Sequence, residues 1–154
     1  MTIEKINLDH IVESTILNLE QEALKKSIKI ESLVDKRIEV LSDFISLDII
    51  ISNYLNNALA YSPNNSKILI TAEEVDKKIK LSVKDEGEGI PENYKDRVFE
   101  RFFRVDKGRS LNQGGTGLGL SIVKNLASTL SCPVGVENLE PKGASFWIEL
   151  NKST

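Results

Sequence analysis

A glycine-rich run that leads into an apolar segment constrains the fold of this chain more than any other feature. Gly114, Gly115, Gly117 and Gly119 fall within six residues, and residues 122–130 behind them have helical apolar spacing. Glycine lets other groups approach the main chain closely, and a helix N-terminus presents unpaired N–H groups with a partial positive charge. No Gly-Lys-Ser/Thr follows and no strand leads directly in, so the run is neither a P-loop nor a dinucleotide fingerprint. The pattern predicts a phosphate cradle, with a ligand-free glycine hinge as the alternative.

The composition narrows the class of protein. The 154 residues suit a single domain, residues 1–154, and a net charge of −3 gives no reason to expect nucleic acid or an anionic membrane as partner. One cysteine, Cys132, excludes an internal disulfide, and one cysteine with one histidine argues against a structural zinc site. The sequence contains neither an apolar run of membrane-spanning length nor a signal-peptide pattern, so we expect a cytoplasmic chain.

Apolar spacing and turn residues divide the chain into helices and strands. Helices are predicted over residues 8–26, 43–61, 92–98 and 122–130. Strands are predicted over residues 29–34, 37–41, 67–73, 78–84, 134–137 and 144–150, with a turn at Asp35-Lys36 and a hairpin turning at Val75-Asp76-Lys77. Helices mixed with hairpin-joined strands predict an α+β two-layer sandwich, in which about three helices cover one face of a mixed β-sheet.

The helix predicted over residues 43–61 carries a polar stripe opposite its apolar face. The apolar residues fall on one arc at about 100° per residue and are predicted to face the core: Leu47, Ile51, Leu55, Ala58 and Leu59. Asn53, Asn57 and Tyr61 follow one another at i, i+4 and i+8 on the other side. An asparagine oxygen can ligate Mg²⁺ and a tyrosine can lie against a base, whereas a solvated helix face is the alternative.

An acidic, glycine-containing loop follows the strand predicted over residues 78–84. Asp85 stands at the strand end, at the start of Asp85-Glu86-Gly87-Glu88-Gly89-Ile90-Pro91. Its carboxylate can accept a hydrogen bond from an exocyclic amine such as the adenine N6 amino group, and the glycines allow close approach of a ligand. An ordinary acidic connection between a strand and a helix is the alternative.

An aromatic and basic segment, Phe99-Glu100-Arg101-Phe102-Phe103-Arg104, comes before the polar residues 107–113. We interpret the phenylalanines as the anchor of a lid over about residues 105–113. Arg104 can reach a terminal phosphate, because a guanidinium group suits multidentate binding of anions. A surface salt bridge is the alternative for this arginine.

Four motifs, in order along the chain, resemble the N, G1, F and G2 boxes of the catalytic ATP-binding domain of sensor histidine kinases. They are Asn53-Tyr54-Leu55-Asn56-Asn57-Ala58, Asp85-Glu86-Gly87-Glu88-Gly89-Ile90, Phe99-Glu100-Arg101-Phe102-Phe103-Arg104 and Gly115-Thr116-Gly117-Leu118-Gly119-Leu120. That domain is similar to those of gyrase B, the Hsp90 chaperones and MutL, which share a Bergerat-type ATP-binding fold. The resemblance covers about residues 6–150.

The resemblance implies that the boxes bind Mg-ATP. Asn57 would ligate the Mg²⁺ that bridges the phosphates, Asp85 would bind the adenine amino group, and Arg104 would approach the γ-phosphate; Asn57 and Arg104 are the implied catalytic residues. The other implied ATP-binding residues are Asn53 beside the metal, Tyr61 near adenine and ribose, Gly87, Gly89 and Ile90 of the G1 box, Phe99 of the F box, and Gly115, Thr116, Gly117, Leu118 and Gly119 along the phosphates.

The chain departs from the family pattern at two places. Ala60 stands three positions after Asn57, where family members often carry a basic residue, which implies weaker ATP binding or charge compensation by Mg²⁺, Arg104 and the lid. The only histidine, His10, lies outside a phosphoacceptor motif. We therefore expect a monomeric fragment of a membrane-anchored kinase, which donates the γ-phosphate to a histidine on a separate or deleted dimerisation hairpin and serves a response regulator indirectly.

Three other functions fit part of the pattern. A nucleotide sensor that binds ATP or ADP without transferring phosphate is supported by Ala60. A serine kinase of the anti-sigma type shares the ATP-binding fold, but the phenylalanine-rich F box argues against it. An α+β interaction domain without a ligand is disfavoured by four boxes in order.

Overall fold

Seven strands and four α-helices form an α+β sandwich in the computed structural model, which describes residues 1–103 and 118–154. The helices are α1 (Leu8–Asn18), α2 (Glu20–Lys25), α3 (Phe44–Tyr61) and α4 (Gly119–Thr129). The strands are β1 (Ile3–Asn7), β2 (Lys29–Ser32), β3 (Glu39–Asp43), β4 (Lys67–Val75), β5 (Lys78–Lys84), β6 (Val134–Asn138) and β7 (Ala144–Lys152). A short 3-10 helix at Glu92–Tyr94 follows β5.

The strands form one mixed sheet in the order β1-β3-β7-β5-β4-β2, and β6 pairs with β7 beside this path. β2 runs parallel to β4, whereas the other described pairs are antiparallel. β7 pairs with β5 along one edge, and along its other edge with β6 near its start and with β3 near its end. The predicted class, an α+β mixed sheet with about three helices, is confirmed.

The core lies between the helices and one face of this sheet. Ile79, Leu81 and Val83 of β5 are buried on this face, whereas Lys80, Ser82 and Lys84 point to the other, because successive strand residues point to opposite faces. The buried residues of β7 continue the same row, since the register places Leu150, Ile148 and Phe146 opposite the buried residues of β5. None of the helices that the structure describes has the length and apolar character needed to cross a bilayer.

Helix α3 is fixed at its start and in its middle. The Asp43 carboxylate accepts hydrogen bonds from the Ser46 amide at 3.0 Å and the Ser46 hydroxyl at 2.7 Å, which caps the first turn. The arc predicted to face the core is buried as expected. Tyr54, which is also buried, donates a hydrogen bond from its hydroxyl to the Trp147 carbonyl at 2.8 Å. Helix α3 is thereby held across β7, with its polar stripe directed away from the core.

Several predicted elements differ from those observed. The single helix predicted over residues 8–26 is divided into α1 and α2 at Leu19, whose amide is shared between the Thr15 carbonyl at 3.2 Å and the Ile16 carbonyl at 3.1 Å. This tight turn interrupts the regular helix although the apolar spacing continues. The helix predicted over residues 92–98 is limited to one 3-10 turn followed by further turns.

The strands near the N-terminus also differ from the prediction. β2 and β3 flank a turn but do not pair with each other, because β2 joins β4 and β3 lies between β1 and β7. β1 was not predicted. It is an edge strand in which Ile6 is buried while Ile3, Glu4 and Lys5 are exposed, so it lacks the alternation that would reveal it.

Candidate nucleotide site

The segments that carry three of the sequence motifs meet along one side of α3. At the end of this helix, the Tyr61 carbonyl lies against Gly87, where an added Cβ would come within 2.7 Å of that oxygen. At Asn53, an added Cβ on Gly119 would come within 2.9 Å of the side-chain Oδ1. The polar stripe, about 12 Å long at 1.5 Å per residue, is therefore bounded by the acidic loop at one end and by the start of α4 at the other.

Asp85 is buried in the loop, with its two carboxylate oxygens in different environments. Oδ1 accepts hydrogen bonds from the Gly87 amide at 2.9 Å and the Ala144 amide at 3.2 Å. Oδ2 makes no hydrogen bond with any residue in the described ranges. Burial raises the pKa of the Asp85 carboxyl, and the two amide donors offset this only in part. The site thus contains a fixed carboxylate with one acceptor oxygen available to a ligand.

Asn138 and Gly143, which the sequence motifs did not indicate, contact the acidic loop and fix its position. The Asn138 side chain accepts a hydrogen bond from the Ile90 amide and donates one to the Ile90 carbonyl, both at 2.7 Å. Gly143, at φ +107°, lies so close to the Asp85 carbonyl that an added Cβ would stand 2.1 Å from its oxygen. The glycine at position 143 indicates a turn before β7, but the residue that it contacts, Asp85, lies 58 residues earlier in the chain. A single sequence does not reveal this pairing.

The polar stripe of α3 presents two carboxamides. Asn53 is half-buried and donates a hydrogen bond from Nδ2 to the Ile49 carbonyl at 2.9 Å, which orients its Oδ1. Asn57 is also half-buried, and its side chain makes no hydrogen bond within the part of the chain that the structure describes. Tyr61 is half-buried one turn further on. The carboxamide oxygen of Asn57 is thus free to accept a hydrogen bond or to ligate a cation.

Helix α4 begins without a side-chain cap. Leu118 occupies the N-cap position, and its side chain makes no capping hydrogen bond. The first turn of the helix contains no acidic residue. The first-turn N–H groups therefore keep their partial positive charge for an anion. Among the predicted phosphate-binding residues, Leu118 and Gly119 are half-buried here, whereas Arg104, residues 105–113 and Gly115-Thr116-Gly117 lie outside the described residues.

The aromatic segment is anchored in the core by one of its phenylalanines. Phe99 packs edge-on against Phe146 of β7 with ring centroids 6.1 Å apart, and Phe146 in turn contacts Tyr54 of α3 at 5.6 Å. Phe103 packs against Tyr94 at 5.4 Å, whereas Phe102 is 62% exposed. Phe99 thus joins the segment to the sheet and to α3, and its contact with a nucleotide stays a prediction.

Comparison with known proteins agrees with this geometry. Residues 42–154 match the model of the family described as histidine kinase-, DNA gyrase B-, and HSP90-like ATPases. The chain belongs to this ATPase family, and the resemblance predicted from the four boxes is confirmed.

Within that family, the chain is similar to the catalytic domains of sensor histidine kinases. It is 35% identical over 148 residues to the sensor-like histidine kinase SenX3 of Mycolicibacterium smegmatis. The alignment covers 96% of this chain and 38% of that protein. The solved catalytic domain of histidine kinase ThkA superposes with a TM-score of 0.86 at 28% identity, over 99% of this chain and 97% of that chain. Full-length ShkA in complex with AMPPNP gives a TM-score of 0.86 at 28% identity, over 100% of this chain and 32% of that chain. The chain therefore spans little more than a third of the SenX3 relatives that it matches.

Proposed function

We propose that this chain binds Mg-ATP and donates the γ-phosphate to a histidine on a separate helical hairpin, as the catalytic part of a two-component sensor kinase. One observation supports this best: a fixed carboxylate, a stripe of two carboxamides and an uncapped helix N-terminus adjoin the same side of α3. Membership of the ATPase family supports ATP as the ligand. The names of the relatives support histidine as the acceptor.

The adenine would bind at the loop end of α3. The free Oδ2 of Asp85 would accept a hydrogen bond from the N6 amino group, while Oδ1 stays bonded to the main chain. An added Cβ on Gly87 would meet the Tyr61 carbonyl and one on Gly89 would meet the Asn138 side chain, so these glycines let the loop pack closely beside the end of the helix at Tyr61. The site would thus recognise the base by one charged acceptor and a flat contact.

The phosphates would lie between the stripe and the start of α4. No group of three or more His, Cys, Asp or Glu side chains is arranged to hold a metal ion in residues 1–103 and 118–154. A Mg²⁺ ion here would instead take one carboxamide oxygen, from Asn57, with phosphate and water oxygens as its other ligands. The N–H groups at the start of α4 would meet phosphate oxygens, and Asn53 fills the space that a side chain at residue 119 would need.

Phosphoryl transfer requires mainly positioning and charge compensation from the protein. Asn57 would hold the ion that neutralises the β- and γ-phosphate oxygens, and Asp85 would fix the base at the opposite end. The predicted roles of Arg104 and of a lid over residues 105–113 complete the site. Because Ala60 provides no cation beside the metal, more of the compensation would fall on Mg²⁺ and Arg104.

The acceptor would come from another polypeptide segment. His10 is exposed in the first turn of α1 and outside a phosphoacceptor motif, so the histidine would belong to a dimerisation hairpin, from which a response regulator takes the phosphoryl group. We further propose that residues 1–154 act as one monomeric catalytic domain in the cytoplasm, within a parent kinase anchored in the membrane.

The test is phosphotransfer from γ-labelled ATP with Mg²⁺ to a panel of purified histidine-kinase hairpins. The native chain should label at least one hairpin in an acid-labile form, as expected for phosphohistidine. Asn57→Ala should remain folded and lose transfer, because it removes the metal-binding oxygen. Asn56→Ala, at the exposed neighbouring position, is the matched control and should transfer normally.

The other outcomes test the role of Asn57 and the class of function separately. Unchanged transfer by Asn57→Ala would refute the metal-binding role of this residue. An acid-stable product would indicate a serine kinase. Binding of ATP without labelling of any hairpin would favour a nucleotide sensor, the alternative to which Ala60 points.

A further inference from the structure

Lys26 caps the carboxyl-terminal end of α3 from outside that helix. Its ammonium nitrogen lies 2.6 Å from the Leu59 carbonyl, 2.8 Å from the Ser62 carbonyl and 3.4 Å from the Ala60 carbonyl. The last carbonyls of a helix lack partners within it and carry partial negative charge. A single ammonium group therefore satisfies three of these oxygens and opposes the charge of this helix end.

The position of Lys26 is itself fixed. It follows α2, its amide donates a hydrogen bond to the Ala23 carbonyl at 3.2 Å, and its carbonyl accepts one from the Asn65 amide at 2.9 Å. The main chain and the side chain of Lys26 thus bind the segment after α3 at two points. The residue is half-buried, and burial lowers the pKa of its ammonium group.

The turn that Lys26 holds is the turn that faces the adenine loop. While its neighbours direct their carbonyls to Lys26, Tyr61 directs its carbonyl at Gly87, with no room for even a Cβ between them. The Ser62 hydroxyl closes the same turn by donating to the Ala58 carbonyl at 2.6 Å. A shift of this turn would therefore move Tyr61 and the support of the acidic loop together.

We propose that Lys26 is a positioning residue of the nucleotide site. It fixes the last turn of α3 against residues 85–89 and thereby sets the geometry of the adenine-binding end of the site. This inference rests on the proposed function, since it assigns adenine to that loop. Lys26 donates its hydrogen bonds to main-chain carbonyls and acts on the ligand only through the helix. Its effect falls on adenine ligands of every charge, because Asn53 and the start of α4 lie about two helical turns away.

Binding of ATP, ADP, AMP and adenosine, measured by calorimetry or competition, tests this role. Lys26→Met keeps most of the aliphatic stem and removes the cation, and it should weaken all four ligands by the same factor, about tenfold, as expected for the loss of one hydrogen bond to the base. In phosphotransfer the KM for ATP should rise while kcat changes little. Lys25→Met makes the same charge change at the exposed preceding residue and should bind as the native chain does. Lys26→Gln, which keeps N–H donors, is a milder variant for use if Lys26→Met does not fold.

Two results would overturn the proposal while leaving the nucleotide site intact. A loss that grows from adenosine to ATP would mean that Lys26 acts through its charge on the phosphates. A lower melting temperature with unchanged affinity for all four ligands would mean that it only stabilises the fold. Absence of binding by the native chain is a separate result, which would overturn the proposed function and this inference together.

Discussion

Replacing Asp85 by asparagine should have opposite effects on nucleotide binding and on stability. The carboxamide oxygen of the Asp85→Asn variant can keep both hydrogen bonds that Oδ1 accepts, from the Gly87 amide at 2.9 Å and the Ala144 amide at 3.2 Å. The side-chain NH₂ group then takes the place of Oδ2. A donor would face the amino group of adenine, itself a donor, where the native site offers an acceptor.

The expected loss of affinity follows from the hydrogen bond that disappears. A hydrogen bond to a charged group contributes about 1.5–3 kcal/mol, and each 1.4 kcal/mol corresponds to about a tenfold change in Kd. Asp85→Asn should therefore weaken ATP binding by about 10- to 150-fold. The main-chain bonds of the loop persist, so this loss reports on the ligand contact itself.

The expected effect on stability has the other sign. Because burial raises the folded-state pKa of Asp85, the stability linked to its protonated form is present at low pH and is lost as the pH rises through that pKa. Ionisation of this carboxyl is therefore less favourable in the folded protein than in the unfolded chain. A neutral amide removes this cost, so the melting temperature without nucleotide should stay the same or rise.

Calorimetry with ATP and thermal melts without it measure the two effects on the same preparation. Asp96→Asn makes the same change at an exposed carboxylate and should alter neither quantity. An ATP affinity within about twofold of the native value would refute the role of Asp85 as the adenine acceptor. A large fall in melting temperature would show instead that the negative charge holds the loop.

Two further predictions concern pH and the core. Adenosine, which has no titrating phosphate, should bind more weakly as the pH falls and Asp85 becomes protonated. Because burial raises the pKa of Asp85, the loss of affinity should begin at a pH above the usual range for aspartate. Binding titrations between about pH 8 and pH 4 measure this, and an affinity that does not change with pH would contradict it. Tyr54→Phe removes the hydrogen bond to the Trp147 carbonyl at 2.8 Å but keeps the ring, so it should destabilise the fold by about 1–2 kcal/mol. Denaturant unfolding checks this against Tyr94→Phe, and equal midpoints for the native chain and Tyr54→Phe would mean that the bond adds no net stability.

The best-predicted element of the fold, α3, is the one with the strongest local signals. Its long apolar arc predicted a helix over residues 43–61, and the observed helix spans Phe44–Tyr61, begins at the Asp43 cap and ends just before Ser62-Pro63. Each of these signals acts within a few residues along the chain. The same is true of the box motifs, which is why Asp85 and the asparagines could be selected before their neighbours in space were known.

What the sequence could not reveal depends on contacts between distant segments. β2 looks like half of a local pair but joins β4 in parallel, because its partner is decided by how the sheet is assembled. The clamp of Asn138 on Ile90 spans 48 residues, and nothing in either segment indicates the other. The break between α1 and α2 at Leu19 was missed for another reason. The apolar spacing continues through this turn, although the regular helical backbone is interrupted there.

The pairing of β3 brings the two ends of the chain together. Ile3 of β1 lies opposite Asp43 on one side of β3, and Lys152 of β7 lies opposite Val40 on the other. Ile3 and Lys152 are separated by two strand spacings across the sheet and by three residues along the strands, which places them about 14 Å apart. The hairpin tip at Asp76 is exposed, between the ends of β4 and β5. The fold is therefore suited to circular permutation, with a short flexible linker joining the present ends and new ends opened at that tip, where the chain order would change and the nucleotide site would not.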